Sequence, residues 1–162
     1  MQPPEMGVPA DRKVRVAGSA DAESIGRLLH DFNSEFGEPS PGPEWLAERI
    51  GDLLNEAHTS VLLAGASPDG LAVLRFRPAI WSDALECYLA ELYVAPRVRG
   101  RGLGRALMNA AIELARGHGA DHIDLGTGEH DLAARALYES LGFSNREGKP
   151  DGAVNYFYEL DL

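Results

Sequence analysis

Apolar residues recur at spacings of three and four in four stretches of the chain, and alternate or run together in several others. Ile25, Leu28, Leu29 and Phe32 predict a helix, with Asp21 placed to cap it. Trp45, Leu46, Ile50, Leu53 and Leu54 predict a second helix over about residues 44–57. Leu103, Leu107, Ala110 and Leu114 predict a third, ended by Gly117 and Gly119. A fourth is expected over residues 131–141, closed by Gly142. Strands are predicted at 14–17, 59–66, 71–76, 85–94 and 122–125, and again at 143–144 and 153–160. Ser67-Pro68-Asp69-Gly70 reads as a turn that folds two of these into a hairpin, and Pro96 ends the strand before it. The stretch 37–43, with three prolines and two glycines, breaks regular structure. The order β-α-α-β-β-β-α-β-α-β-β is that of an α/β sheet covered on both faces.

The length of 162 residues fits one domain, assigned to 13–162, behind a Pro-rich leader at 1–12 read as disordered. Net charge is −10, which argues against non-specific nucleic-acid binding and hints at a cationic partner. Cys87 is the single cysteine, so no intrachain disulfide forms. With no membrane-length apolar run and no signal-peptide pattern, the expected location is cytoplasmic, with no membrane partner. No metal site is expected, because the histidines are not spaced on one regular element.

Charge inverts locally at a glycine-rich turn. Arg97, Arg99, Arg101 and Arg105 crowd around Gly100, Gly102 and Gly104, between a strand and a helix. Alternate glycines allow a tight turn whose amides meet the positive end of the helix dipole, which reads as a pyrophosphate site. The spacing matches neither the ATPase loop, which needs a following lysine, nor the dinucleotide fingerprint. The bland alternative is a plain strand–helix turn with solvated arginines.

Arg97-x-x-Gly100-x-Gly102 resembles the R/Q-x-x-G-x-G/A acyl-CoA motif of the GNAT N-acetyltransferase superfamily. Asp131-x-x-Ala134-x-x-Leu137-Tyr138-Glu139-x-Leu141-Gly142-Phe143 resembles that family's N-x-x-A-x-x-L-Y-E-x-x-G-F segment, with Asp131 in the usual Asn position. The likeness spans roughly residues 13–160. It implies a mixed twisted sheet of about six or seven strands with about four helices, splayed between two central parallel strands.

The resemblance further implies acetyl-CoA as cofactor and direct acetyl transfer to a primary amine of a small, cationic substrate. The pantetheine arm is expected on the backbone of Leu92, Tyr93 and Val94. The pyrophosphate is expected on the amides of Val98, Arg99, Gly100, Arg101, Gly102, Leu103 and Gly104, with the side chains of Arg97, Arg99 and Arg105, while the Arg101 side chain is the bystander. Asp131, Ala134 and Tyr138 share one helix face, and Tyr138 is the candidate acid; otherwise it packs at a helix edge. Glu91 interrupts an apolar strand and is the candidate base, because burial raises a carboxyl's pKa; otherwise it pairs with Arg75 or Arg77. Phe32, Glu35, Trp81, Tyr156 and Tyr158 are candidates for the acceptor pocket. A homodimer is compatible with the family. Two further readings stand beside this one: a non-catalytic acyl-CoA sensor on the same scaffold, and a protein or peptide N-acetyltransferase.

Overall fold

The computed structural model describes residues 12–162. The leader expected over 1–12 lies outside these residues, Arg12 excepted. The described residues divide into two compact units, 12–124 and 125–162.

The first unit is a five-stranded sheet in sequence order: β1 Val14–Val16, β2 Thr59–Ala64, β3 Gly70–Pro78, β4 Leu85–Val94 and β5 Ala120–Asp124. The first four strands run antiparallel to their neighbours, and β5 runs parallel to β4. Three helices cover it: α1 Ala22–Glu35, α2 Pro43–Leu54 and α3 Leu103–Gly117. Pro43, expected to belong to the chain break, instead opens α2, where its missing N–H costs nothing. Asp21 occupies the N-cap position of α1 without capping it. Its carboxylate turns back to the Gly18 N–H (2.9 Å) and to Arg15 (2.7 and 2.8 Å), which together hold its pKa down at about 2.

One face of the sheet buries Val61, Leu63, Leu71, Val73 and Tyr93 against Ile25 and Leu28 of α1 and Ile50 of α2. The helices meet closely: a Cβ on Gly26 would lie 2.5 Å from the Pro43 carbonyl oxygen, so only glycine fits there. Strand alternation sends Leu62, Ala72, Leu74, Cys87 and Leu89 to the other face, the side α3 covers. The buried stripe of α3 is Leu103, Leu107, Met108, Ala111 and Ala115, rotated slightly from the predicted one; Ala110 and Leu114 are half-buried at its margin.

Two irregularities of β4 set the direction of Glu91 and leave one edge of the strand open. Val73 faces Glu91 while Leu74 faces Leu89, so Ala90 is an extra residue, a β-bulge. Without it Glu91 would share the face of Cys87 and Leu89; with it Glu91 joins Tyr93 on the face of α1 and α2. Pairing with β5 also covers only Leu85–Tyr88, so β4 runs on to Val94 past the end of β5. β5 is the last strand of the sheet, so the two parallel strands are not both central as expected.

The second unit carries α4, Leu132–Ser140. The strands predicted at 143–144 and 153–160 do not form among the described residues. Only Arg146 and Val154 make a bridge, with Glu147 N–H to Ala153 O (2.9 Å) and Asn155 N–H to Asn145 O (2.8 Å) beside it. Alternating Tyr156, Tyr158 and Leu160 have strand character, but a strand needs a ladder partner and nothing beyond Asn155 pairs. The sheet therefore has five strands, not six or seven. No helix among the described residues is long and apolar enough to cross a membrane.

Candidate acetyl-donor site

The turn from β4 into α3 is built for an anion. A short 3-10 turn, Pro96–Val98, leads into Gly100 (φ 76°) and Gly102 (φ 84°), the N-cap of α3. Side-chain-bearing residues rarely adopt this left-handed geometry. A Cβ on either glycine would meet nothing within 4 Å, so backbone conformation, and not crowding, selects glycine. Val98 and Arg99 donate their amides to Ala95 and Pro96. The next N–H groups, of Gly100, Arg101, Gly102, Leu103 and Gly104, reach no acceptor among the described residues. Five consecutive amide donors at a helix N-terminus fit a pyrophosphate. Val98, expected to contribute its amide, has already spent it within the turn.

The arginines differ from one another. Arg97 pairs with Asp69, a buried carboxylate on the β2–β3 turn that also accepts from Ser67 (3.1 Å). Arg99 donates to both oxygens of Glu35 (2.7 and 2.6 Å) and through Nε to the Val94 carbonyl (2.9 Å). Its guanidinium lies 5.8 Å from the Tyr93 ring centroid. Arg101 has no partner among the described residues, which makes the expected bystander the cation most available to a ligand. Nothing in the sequence singled out Asp69, because an Asp-Gly turn before a strand is common for conformational reasons alone.

The β4 edge can be read from one bond. Ala95 N–H donates to Asp69 O (2.7 Å), so Ala95 faces the β3 side. By alternation Tyr93 faces β3 too, and Leu92 and Val94 face the open edge. The expectation for Tyr93 is therefore corrected: its N–H and C=O belong to the ladder, and an arm laid along the edge can meet only the N–H and C=O of Leu92 and the N–H of Val94, whose C=O already accepts from Arg99. The Tyr93 side chain has its own task, stacking on Phe32 at 5.0 Å.

Glu91 lies at the bulge, half-buried, and forms no ion pair with Arg75 or Arg77; Arg77 is paired with Glu86 (2.6 Å). Burial alone pushes its carboxyl above the ordinary carboxylate range. Trp81 stands on the β3–β4 loop, 96% exposed and beyond the opposite end of β4. The strand from Leu85 to Glu91 spans about 20 Å, so the structure does not bring Trp81 to this site.

In the second unit, Asp131 caps α4: its Oδ1 accepts from the Ala134 N–H (3.1 Å). A cap needs only an acceptor, so Asp serves there as well as Asn. The helix ends in a Schellman motif. Gly142 N–H donates to Glu139 O (3.1 Å) and Phe143 N–H to Tyr138 O (3.1 Å), with Gly142 at φ 93°. This closure seats Phe143 against the ring of Tyr138, 5.9 Å between centroids. Tyr138 is buried and its phenol is pushed up to about 12, by desolvation first and by Asp131 second. Ala134 lies one turn before it. Tyr156 is 75% exposed, its ring 6.4 Å from that of Tyr158.

The profile of the Acetyltransferase (GNAT) family matches residues 24–143, and the chain belongs to that family. It is 31% identical over 144 residues to mycothiol acetyltransferase of Beutenbergia cavernae, covering 85% of this chain and 46% of that protein. This chain thus spans about half the length of that relative. The uncharacterized N-acetyltransferase YhfO of Bacillus subtilis is 30% identical, over 83% of this chain and 91% of its own. A crystal structure from Arthrobacter sp. FB24, provisionally assigned as an acetyltransferase, is 41% identical. It superposes with a TM-score of 0.86 over 96% of this chain and 99% of that one.

Proposed function

We propose that this chain transfers an acetyl group from acetyl-CoA directly to the primary amine of a small, cationic molecule. The row of five unpartnered amides from Gly100 to Gly104, closing the open edge of β4, carries this reading. The amides and Arg101, with Arg105, hold the pyrophosphate; Leu92 and Val94 hold the arm. Val98, Arg97 and Arg99 shape the turn without donating to the phosphates. Bound there, acetyl-CoA supplies an activated thioester carbonyl.

The residues of this chain handle the protons. A carboxylate at Glu91 takes one proton from the incoming ammonium through an oxygen whose basicity burial has raised. The Tyr138 hydroxyl stays protonated at working pH because its pKa is raised; it gives its proton to the sulfur as the C–S bond breaks, and recovers one from the nitrogen, which sheds its second proton as the C–N bond becomes an amide. Each such assistance is worth about 10²–10⁴ in rate. Asp131 and the Gly142–Phe143 closure hold the Tyr138 ring in place. The small-molecule acceptor follows the name of the mycothiol-acetylating relative, and cationic character follows the −10 net charge.

Titration calorimetry with acetyl-CoA tests the donor site. The chain is expected to bind, and Gly102→Val, which β-branching bars from φ 84°, to lose about tenfold or more in affinity while remaining folded. Equal affinity in both would remove the turn from the site.

A further inference from the structure

We infer that Arg99 and Glu35 form a positioning pair that ties the C-terminal end of α1 to the donor turn, so that neither acts as a ligand, of phosphate or of amine. The inference rests on the functional reading above and assigns two of its residues. Three independent contacts fix the guanidinium: the two-pronged pair with Glu35 at 2.7 and 2.6 Å, the Nε bond to Val94 O at 2.9 Å, and the Tyr93 ring at 5.8 Å. Arg matches a carboxylate in this forked geometry and Lys does not.

The carboxylate is equally committed. Arg99 holds the Glu35 pKa down, and the nearby Tyr93 hydroxyl lowers it slightly further. Tyr93 in turn stacks on Phe32, one turn earlier on α1, and Phe32 meets Phe36 edge-on at 5.4 Å. The last turn of α1 is therefore clamped by charge and by aromatic contact to the strand edge that bears Val94. Because Arg99 occupies the Val94 carbonyl, that strand offers the arm only the Val94 N–H at this end. The pair also spans 64 residues of sequence, joining a helix that otherwise leads into the 37–42 stretch to the turn after β4.

The alternative is exchange: phosphate draws Arg99 away and frees Glu35 for a cation. Hydrogen exchange with coenzyme A as the probe separates the two, because the clamp and the exchange move the end of α1 in opposite directions. If the pair is a clamp, saturating coenzyme A slows exchange of amides 30–38 about tenfold in the unsubstituted chain. The slowing falls below about twofold in Glu35→Gln, Arg99→Gln, Arg99→Lys and the Glu35→Gln/Arg99→Gln double variant, with coenzyme A affinity within about threefold throughout. Faster exchange at 30–38 on binding overturns the inference in favour of ligand exchange. So does a tenfold affinity loss in Arg99→Gln that Arg99→Lys restores, since that marks a phosphate ligand. Melting temperatures confirm that each variant is folded. Failure of the unsubstituted chain to bind coenzyme A overturns the functional reading itself, and this assignment with it.

Discussion

The Glu91 carboxyl lies between Leu89-Ala90 and Leu92-Tyr93-Val94 of β4, with no ion-pair partner among the described residues, and burial penalises its charge. The native state thus binds this proton more tightly than the unfolded chain does. Stability from this group falls as pH rises from the ordinary carboxylate pKa through the raised one, and the full cost is present above it. Asp21 and Glu35 have the opposite sign: their depressed pKa values lend stability above the ordinary range that is lost on acidification. Glu91→Gln is accordingly expected to melt higher than the unsubstituted chain at pH 7, with the difference vanishing at low pH. In the same variant the acid-side fall of the pH–rate profile, which reports protonation of the base, is expected to disappear. A profile and melting difference independent of pH would remove Glu91 from both roles.

At the scale of elements, α4 is where a sequence motif translates most directly into geometry. Asp131 supplies the cap and Gly142 the left-handed residue that lets Phe143 fold back on Tyr138. Asp131→Ala is expected to cost about 1 kcal/mol in urea denaturation, and Asp131→Asn almost nothing. A loss in Asn equal to that in Ala would show that charge, not acceptance, is what the position needs. Much of the fold was legible because punctuation is local: Pro96 ends β4, Gly102 opens α3, and a Pro-Asp-Gly turn closes β2 on β3. The bulge at Ala90 was not, since one extra residue leaves an apolar run looking unbroken. The final strands were misread because alternation at Tyr156, Tyr158 and Leu160 describes a side-chain pattern, while a ladder depends on a neighbour. The Arg97–Asp69 and Arg99–Glu35 pairs lie 28 and 64 residues apart, beyond any local pattern.

For the whole molecule, the charge balance takes on a different meaning once these pairs are known. Four arginines fall within the nine residues 97–105, with no acid among them. Asp69 and Glu35 neutralise two of them, so the proposed donor site rests chiefly on backbone amides. Amides at a helix start are preorganised and need no counter-charge, which suits a protein with net charge −10. A non-catalytic acyl-CoA sensor would bind the donor equally well but needs neither a raised carboxyl nor a buried phenol. Release of coenzyme A from acetyl-CoA, followed across a panel of small amines, separates these readings most directly. The account predicts release that depends on an added amine and falls about 10²-fold or more in Tyr138→Phe, with donor affinity retained. Tight acetyl-CoA binding with no amine-dependent release across the panel would contradict it.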